Sequence, residues 1–266
     1  MDRAETLFRY LLARMPCQVF CDIGSRDAET ALQMSPLAPQ ASFVCFEADR
    51  DNYQAILGNS RIDWGCFRVE HLAVTNRSGT VAFNVYRKPD DARNRGLGSL
   101  KMRRELDPVR VDEVTGITLD GYLGLLCPDA RDLVLWIDVE GAALEVFQGA
   151  TRSLARTNMV FVELEETDIY HEAHLRREVA GLLTAQGFRE LLYRPYKGGA
   201  FGDALFVSRA VYDRFDLGPV VRRFNLRFPL AAALQQSKQA AFRVLSGVPG
   251  FLKVWRRVKP SGGPVR

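Results

Sequence analysis

The chain has 266 residues, 47% of them hydrophobic and 26% charged, which suits one α/β domain with additions. No apolar run is long enough to span a bilayer, and the acidic, arginine-interrupted start Met1-Asp2-Arg3-Ala4-Glu5 does not read as a secretory signal. The net charge of +4 conceals an asymmetry: ten of the 36 Lys and Arg fall in residues 217–266, which contain no Asp or Glu, so residues 1–216 set 26 bases against 32 acids, a net of −6.

Ala4–Arg14 places Leu7, Leu11 and Leu12 on one face and reads as a short amphipathic helix. Val19–Ile23 is a short apolar run suited to a buried parallel strand. It breaks at Asp22-Ile23-Gly24, and the segment with Ala28, Ala31 and Leu32 continues at helical spacing until Pro36 and Pro39. A strand, a glycine turn and a helix present backbone N–H groups to a nucleotide-like ligand. Gly24 lets the backbone approach closely, and Asp22 offers an acceptor for a ligand amino group. A tight turn with no ligand fits the same residues.

Ala41–Glu47 is a second apolar strand that ends in an acid, 23 positions after Gly24. That is where a ribose-binding carboxylate is expected, although a solvated strand-end acid has the same pattern. Asp51–Leu57 reads as a helix stopped at Gly58-Asn59. Cys66–Val74 is a third strand, and Thr80–Tyr86 alternates as a half-exposed one. With the turn Asn76–Gly79 between them, these two predict an inserted hairpin.

Lys88–Arg104 is basic and glycine-bearing, and reads either as a mobile loop near the ligand or as a solvated surface loop. Val109–Thr118 predicts a strand, and Leu119–Leu123 starts a short helix. Leu133–Ile137 is a buried strand running into Asp138-Val139-Glu140-Gly141, and Ala142–Leu154 reads as one helix. Acids at the carboxyl end of a parallel strand open onto a ligand crevice. Met159–Glu166 is another strand that ends in acids, among them Glu163. The helix Leu175–Gly187 and the strands Phe188–Tyr193 and Ala204–Ser208 follow, the two strands flanking the loop Pro195–Gly199. The order predicts one doubly wound α/β domain with no internal repeat.

The five cysteines, Cys17, Cys21, Cys45, Cys66 and Cys127, have no paired metal spacing. They read as reduced thiols of a cytoplasmic protein. No His/Cys cluster suggests zinc. Clustered acids suit Mg²⁺, but nothing in the sequence demands a metal.

The set Phe20–Gly24, Val44–Ala48, Thr118–Asp120, Ile137–Ala142 and Glu145–Ala150 resembles the FkbM-type S-adenosylmethionine-dependent methyltransferases. The match runs from Val19 to Ser208. Ile137–Ala150 is its most specific part, a D-x-E-G-a followed by a helix ending in G-a. The Asp22 and Glu47 motifs alone suit many nucleotide-binding folds.

The resemblance implies a class I methyltransferase fold: Rossmann-like, doubly wound and mostly parallel. It implies methyl transfer to oxygen on a sugar, glycan or other hydroxyl-bearing metabolite. By the same resemblance Asp22, Gly24 and Ser25 hold the methionine end of S-adenosylmethionine, Glu47 takes the ribose, and Ala48, Ala73 and Val74 border the adenine. Two departures stand out. The family often has glycine where this chain has Ala28, and glutamate where it has Ala143.

Such a transfer needs an aligned acceptor oxygen and a base. Candidate bases are Asp138, Glu140, Glu163 and His71, with Asp138 and Glu140 ranked first. Either acid serves equally as a helix cap, and Asp138 is also placed to contact the cofactor amino group. His71 and His171 fit surface or packing roles. A protein that kept the fold but lost turnover, a binding or scaffold protein, is the alternative. The absence of a G-x-G-x-x-G turn argues against a nicotinamide-dependent oxidoreductase.

Residues 1–216 are expected to form the methyltransferase domain and 217–266 a basic, helical extension. In the extension Leu230, Leu234, Ala241 and Leu245 recur near helical spacing, and Phe251–Lys259 is basic and aromatic. Three partners fit it: an anionic membrane, which would suit a lipid-linked glycan and the inner membrane face; the acidic body or a second subunit; and, ranked last, nucleic acid.

Overall fold

The computed structural model describes residues 3–87 and 96–233, the last five by backbone alone. In chain order the elements are α1 (Arg3–Leu12), β1 (Val19–Ile23), α2 (Glu29–Met34), a 3₁₀ turn (Ser35–Leu37), β2 (Ser42–Phe46), α3 (Arg50–Leu57), β3 (Phe67–Glu70), β4 (Ala73–Val74), β5 (Gly79–Val85) and β6 (Arg110–Ile117). There follow α4 (Leu119–Leu126), β7 (Leu133–Ile137), α5 (Ala143–Gln148), α6 (Thr151–Leu154), β8 (Thr157–Glu165), α7 (Arg176–Ala185), β9 (Phe188–Pro195), β10 (Phe201–Ser208), α8 (Arg209–Arg214) and α9 (Leu217–Ala233).

Strand β1 is buried at every position and is an interior strand, third in a seven-stranded sheet of order β3-β2-β1-β7-β8-β10-β9. Strands β3 to β8 of that order run parallel, and β10 is antiparallel to both its neighbours. The chain leaves β1 to one side for β2 and returns on the other side as β7. This strand-order reversal is where open α/β sheets bind ligands.

Alternation along the strands makes two cores. On one face Phe20 stacks on Phe43 and Phe43 on Phe67, while Phe8 of α1 sets its edge against Phe20, Trp136 and Phe161. On the other face Cys21, Ile23, Phe46 and Leu135 pack with Leu123 of α4, Phe147 of α5 and Leu183 of α7. All five cysteines are free thiols.

The inserted antiparallel pair exists, but not with the expected partners. Phe67–Glu70 does not pair with the strand after the Asn76–Gly79 turn. It extends the main sheet parallel to β2, where Phe67 and Val69 share the core of Phe43 and Cys45. The antiparallel partner of β5 is β6, with Val81, Phe83, Val85 and Val114 forming a separate small core. Ala73–Val74 joins this second sheet by pairing parallel with β6.

The helix expected over Ala142–Leu154 is likewise two. At Gly149 an added Cβ would lie 2.2 Å from the Thr75 carbonyl oxygen, so the chain bends there. The carboxylate of Asp120 then accepts from the backbone N–H groups of Arg152 and Ser153 at 2.9 and 2.7 Å, and from the Ser153 hydroxyl. This gives the Thr118-Leu119-Asp120 motif a capping role.

The first part of the basic extension is helical and packs on the body. Leu217 and Phe224 lie in the same core as α1, and Arg3 donates to Asn225 Oδ1 at 2.7 Å. Residues 234–266, with Lys238, Arg243 and Phe251–Lys259, lie outside the described residues. Among the described residues no helix is long and apolar enough to cross a membrane.

Replacing Asp120 by Ala removes the cap of α6. The expected loss is about 1–2 kcal/mol of stability, read from the midpoint of urea unfolding with an unchanged slope.

Candidate active site

The site begins where β1 stops. Gly24 has φ +83°, and a Cβ built on it would lie 2.0 Å from the Asp138 carbonyl oxygen. Only glycine therefore lets the turn touch the end of β7. The Asp138 amide donates to the Ile23 carbonyl at 2.9 Å, and the amides of Gly24 and Ser25 both donate to the Phe46 carbonyl at 3.0 Å. The ends of β1, β2 and β7 are thus stitched into one floor. Arg26 and Ala28 also have positive φ, 52° and 57°. Ala28 holds, at the cost of a left-handed L-residue, the place where the resembling sequences often have glycine.

Glu47 closes this floor on one side. It is 5% exposed, and its two oxygens accept from the amides of Arg26 at 2.6 Å and Asp49 at 2.7 Å. Burial pushes its carboxyl up to about 7, against the pull of those two amides. Asp49, which the sequence reading passed over, caps α3 by accepting from the amides of Asp51 and Asn52 and takes a guanidinium contact from Arg87. A short acid just ahead of a helix was the signal for it.

A cleft of about 570 Å³ lies over these strand ends, bordered by Gly24, Glu47, Ala48, Ala73, Val74, Asp138 and Glu140, with Phe83, Gly98 and Leu100 above. Six of the eight residues expected around the cofactor therefore border one cavity. Asp22 and Ser25 do not line it. Asp22 lies two residues from Phe20 on the same side of β1 and faces α2, where its carboxylate accepts from the Ala31 amide. Its Oδ2 has no protein partner, and burial raises the carboxyl to about 8. Ser25 is buried behind the turn.

Asp138, Glu140 and Glu163 converge, with carboxylate oxygens within 4.8 Å of one another. Three like charges in a confined cleft resist ionising together. Burial first, then Asp138 and Glu140, push Glu163 up to about 10. Burial and Asp138 push Glu140 up to about 7. Burial raises the Asp138 carboxyl as well, with the Arg26 guanidinium opposing. Three close carboxylates are also a set of hard oxygen ligands of the kind Mg²⁺ accepts. His71 lies apart from this group, with Nε2 3.1 Å from the Ala48 carbonyl and the ring stacked on Tyr53. Ala143 is buried in the first turn of α5.

Further residues at the site come from segments distant in sequence. The Tyr170 hydroxyl donates a short hydrogen bond to Glu140 Oε2, and Arg103 Nη1 donates to the Tyr170 hydroxyl at 3.3 Å. Gly141, at φ +83°, leaves room for the Tyr170 ring and donates its amide to Glu165 at 2.6 Å. Residues 96–104, part of the expected loop, cross the cleft. Ser99 pairs with Asn84 through both backbone groups, its hydroxyl donates to the Glu140 carbonyl, Lys101 forms an ion pair with Glu145, and His171 donates its amide to Met102. Residues 88–95 of that loop lie outside the described residues.

Beyond Asp138, on the α1 side, a second cavity of about 450 Å³ is lined by Glu5, Trp136, Phe161, Glu163, Arg194, Tyr196 and Asp203. Asp138 borders both cavities.

A reversal of strand order, a glycine turn against the next strand, an acid at the end of β2 and a cleft across them define a class I, S-adenosylmethionine-dependent methyltransferase. The glycine turn and the partly satisfied Glu47 carboxylate suit the group in that cleft. Residues 22–190 match the Methyltransferase FkbM domain, and the chain belongs to that family.

A relative with the name 2-O-methyltransferase NoeI, from Sinorhizobium fredii, is 27% identical over 183 residues, covering 65% of this chain and 73% of the relative. Among solved structures, the chain is similar to the magnesium protoporphyrin IX methyltransferase ChlM of Synechocystis with bound SAM (8% identity, 77% of this chain and 76% of that one, TM-score 0.44). It is also similar to a putative O-methyltransferase of Klebsiella pneumoniae (11% identity, 78% and 81%, TM-score 0.43).

Removing the Tyr170 hydroxyl removes a donor that favours the ionised form of Glu140. In Tyr170→Phe the Glu140 carboxyl is expected to titrate above its wild-type value of about 7, read by carbon-detected NMR titration of labelled glutamate. An unchanged midpoint refutes the coupling.

Proposed function

We propose that the protein transfers a methyl group from S-adenosylmethionine to a hydroxyl oxygen of a sugar, glycan or related metabolite. The observation that carries the reading is the position of Asp138, on the wall shared by two cavities and beside Glu140 and Glu163. The name of the Sinorhizobium relative, a 2-O-methyltransferase, supports oxygen as the acceptor.

When bound, the cofactor supplies an electrophilic sulfonium methyl group. Glu47 has acceptor capacity left after the amides of Arg26 and Asp49 and the Asn52 side chain and takes the ribose hydroxyls. Ala48, Ala73 and Val74 give the adenine small apolar walls, and the Gly24 turn lets backbone reach the methionine end. Asp22 acts one layer behind, holding the start of α2, and Ser25 sits in the same support.

Asp138 and Glu140 stand where the acceptor hydroxyl must lose its proton. Glu140, held near neutrality by burial and Tyr170, is poised as the base. Asp138 orients the hydroxyl, and Glu163, pushed well above neutrality, holds a proton and donates a hydrogen bond. Aligning the acceptor oxygen provides much of the acceleration. The three carboxylates would also receive a divalent cation, but the reading requires none.

Glu140→Gln and Asp138→Asn are each expected to lower turnover by about 100-fold or more while leaving S-adenosylhomocysteine affinity unchanged in isothermal titration. Full activity in both variants refutes their assignment. A protein that kept the fold but lost turnover would bind the same ligand and transfer nothing to any hydroxyl acceptor.

Glu47 provides a separate check. Its carboxyl is raised to about 7, so it gains a proton and loses acceptor strength as pH falls through that value. S-adenosylhomocysteine is expected to bind more weakly at about pH 6 than at about pH 8. In Glu47→Gln, binding should be about tenfold weaker at the higher pH and no longer pH-dependent in this window.

A further inference from the structure

We propose that the second cavity, on the α1 side of Asp138, is the acceptor site, and that it accepts an uncharged polyhydroxylated ring and rejects sugar phosphates and uronates. The proposal rests on the methyl-transfer reading, because it takes its direction from Asp138.

The cavity is formed by three strand ends and two flanking segments. Asp138 follows β7, Glu163 lies near the end of β8, and Asp203 lies on β10 opposite it in register. Arg194 and Tyr196 come from the end of β9 and the turn after it, and Glu5 comes from the first turn of α1. Asp138 borders both cavities, and Glu140 of the cleft lies with its carboxylate oxygen within 4.8 Å of that of Glu163 in the cavity, so a hydroxyl seated against Asp138 faces the cleft within reach of Glu140.

The lining has two characters. Trp136, half-buried and stacked on Phe161 at 3.9 Å between ring centroids, gives an apolar platform suited to the C–H face of a sugar ring. Around it stand four carboxyl groups, Glu5, Asp138, Glu163 and Asp203, and one guanidinium, Arg194. Arg194 itself lies over the Tyr196 ring, 5.3 Å from its centroid, and the Tyr196 hydroxyl donates to Asp203 Oδ2 at 2.7 Å.

Carboxyl groups accept from hydroxyls when ionised and donate when protonated, so together they can read a ring of hydroxyls. Glu5 is ion-paired with Arg9, which leaves Asp138, Glu163 and Asp203 facing one guanidinium, Arg194; that excess of carboxyl groups opposes an incoming phosphate or carboxylate.

The test uses the full chain saturated with S-adenosylhomocysteine. Methyl α-glucopyranoside, methyl β-galactopyranoside, glucuronate and glucose 6-phosphate are compared by saturation-transfer NMR at low ionic strength. The neutral glycosides are expected to bind, and the two anions about tenfold or more weakly, with the gap narrowing in salt.

In Tyr196→Phe the neutral glycosides should weaken. In Glu5→Gln with Asp203→Asn the anions should gain relative to the neutral sugars. Circular dichroism and unchanged S-adenosylhomocysteine affinity verify that each variant is folded. Equal binding of neutral and anionic sugars, no neutral-sugar binding to the nucleoside-loaded protein, or no response in these variants overturns the proposal. Failure of S-adenosylhomocysteine itself to bind overturns the methyltransferase reading, and this proposal with it.

Discussion

The contact on which the site depends is backbone against backbone. The turn after β1 touches the carbonyl of Asp138 so closely that no side chain fits between them. That contact fixes the height of the β1 and β7 ends relative to each other. It also fixes the place of the Asp138 side chain, which points away from its own carbonyl into the boundary between two cavities. With Gly24 and Ser25 both tied to the Phe46 carbonyl, the end of β2 is held to the same floor. The two cavities on either side of Asp138 are therefore spaced by one short piece of main chain.

Charge is the second constraint. Glu47, Glu140 and Glu165 are all raised to about 7 from an ordinary value of 4.5, each mainly by burial. The folded protein keeps protons here that an unfolded chain has released. The stability these groups contribute is fully present below the ordinary glutamate value and is lost as pH rises through about 7. The site is thus costly to the empty fold at the pH where a base is useful, a common compromise between stability and activity.

Much of this was readable in the sequence, and the parts that were not share a cause. The β1 turn, Glu47, and the acids after β7 and on β8 are local patterns: an apolar run, then glycine or a carboxylate. They reached the places expected of them. Asp22 was read from its neighbour Gly24. It shares the side of Phe20 and meets the Ala31 amide of α2, within reach of the charges of Asp138 and Glu47.

β3 pairs with β2, where Phe67 stacks on Phe43, while β5 pairs with β6 in a second sheet with its own core. Nothing within either segment states that preference. The break at Gly149 needed Thr75, and the orientation of Glu140 needed Tyr170 and Arg103. Each is a contact between segments far apart in the chain, which periodicity cannot reveal.

Helix α1 has a double attachment. Its first turn brings Glu5 to the rim of the second cavity. Its first residue, Arg3, holds Asn225 of α9, and its apolar face shares a core with Leu217 and Phe224. The basic extension is therefore no detachable appendage at its root. Shortening the chain ahead of Leu217 would uncover the outer side of α1 and loosen one wall of the cavity that Glu5 lines.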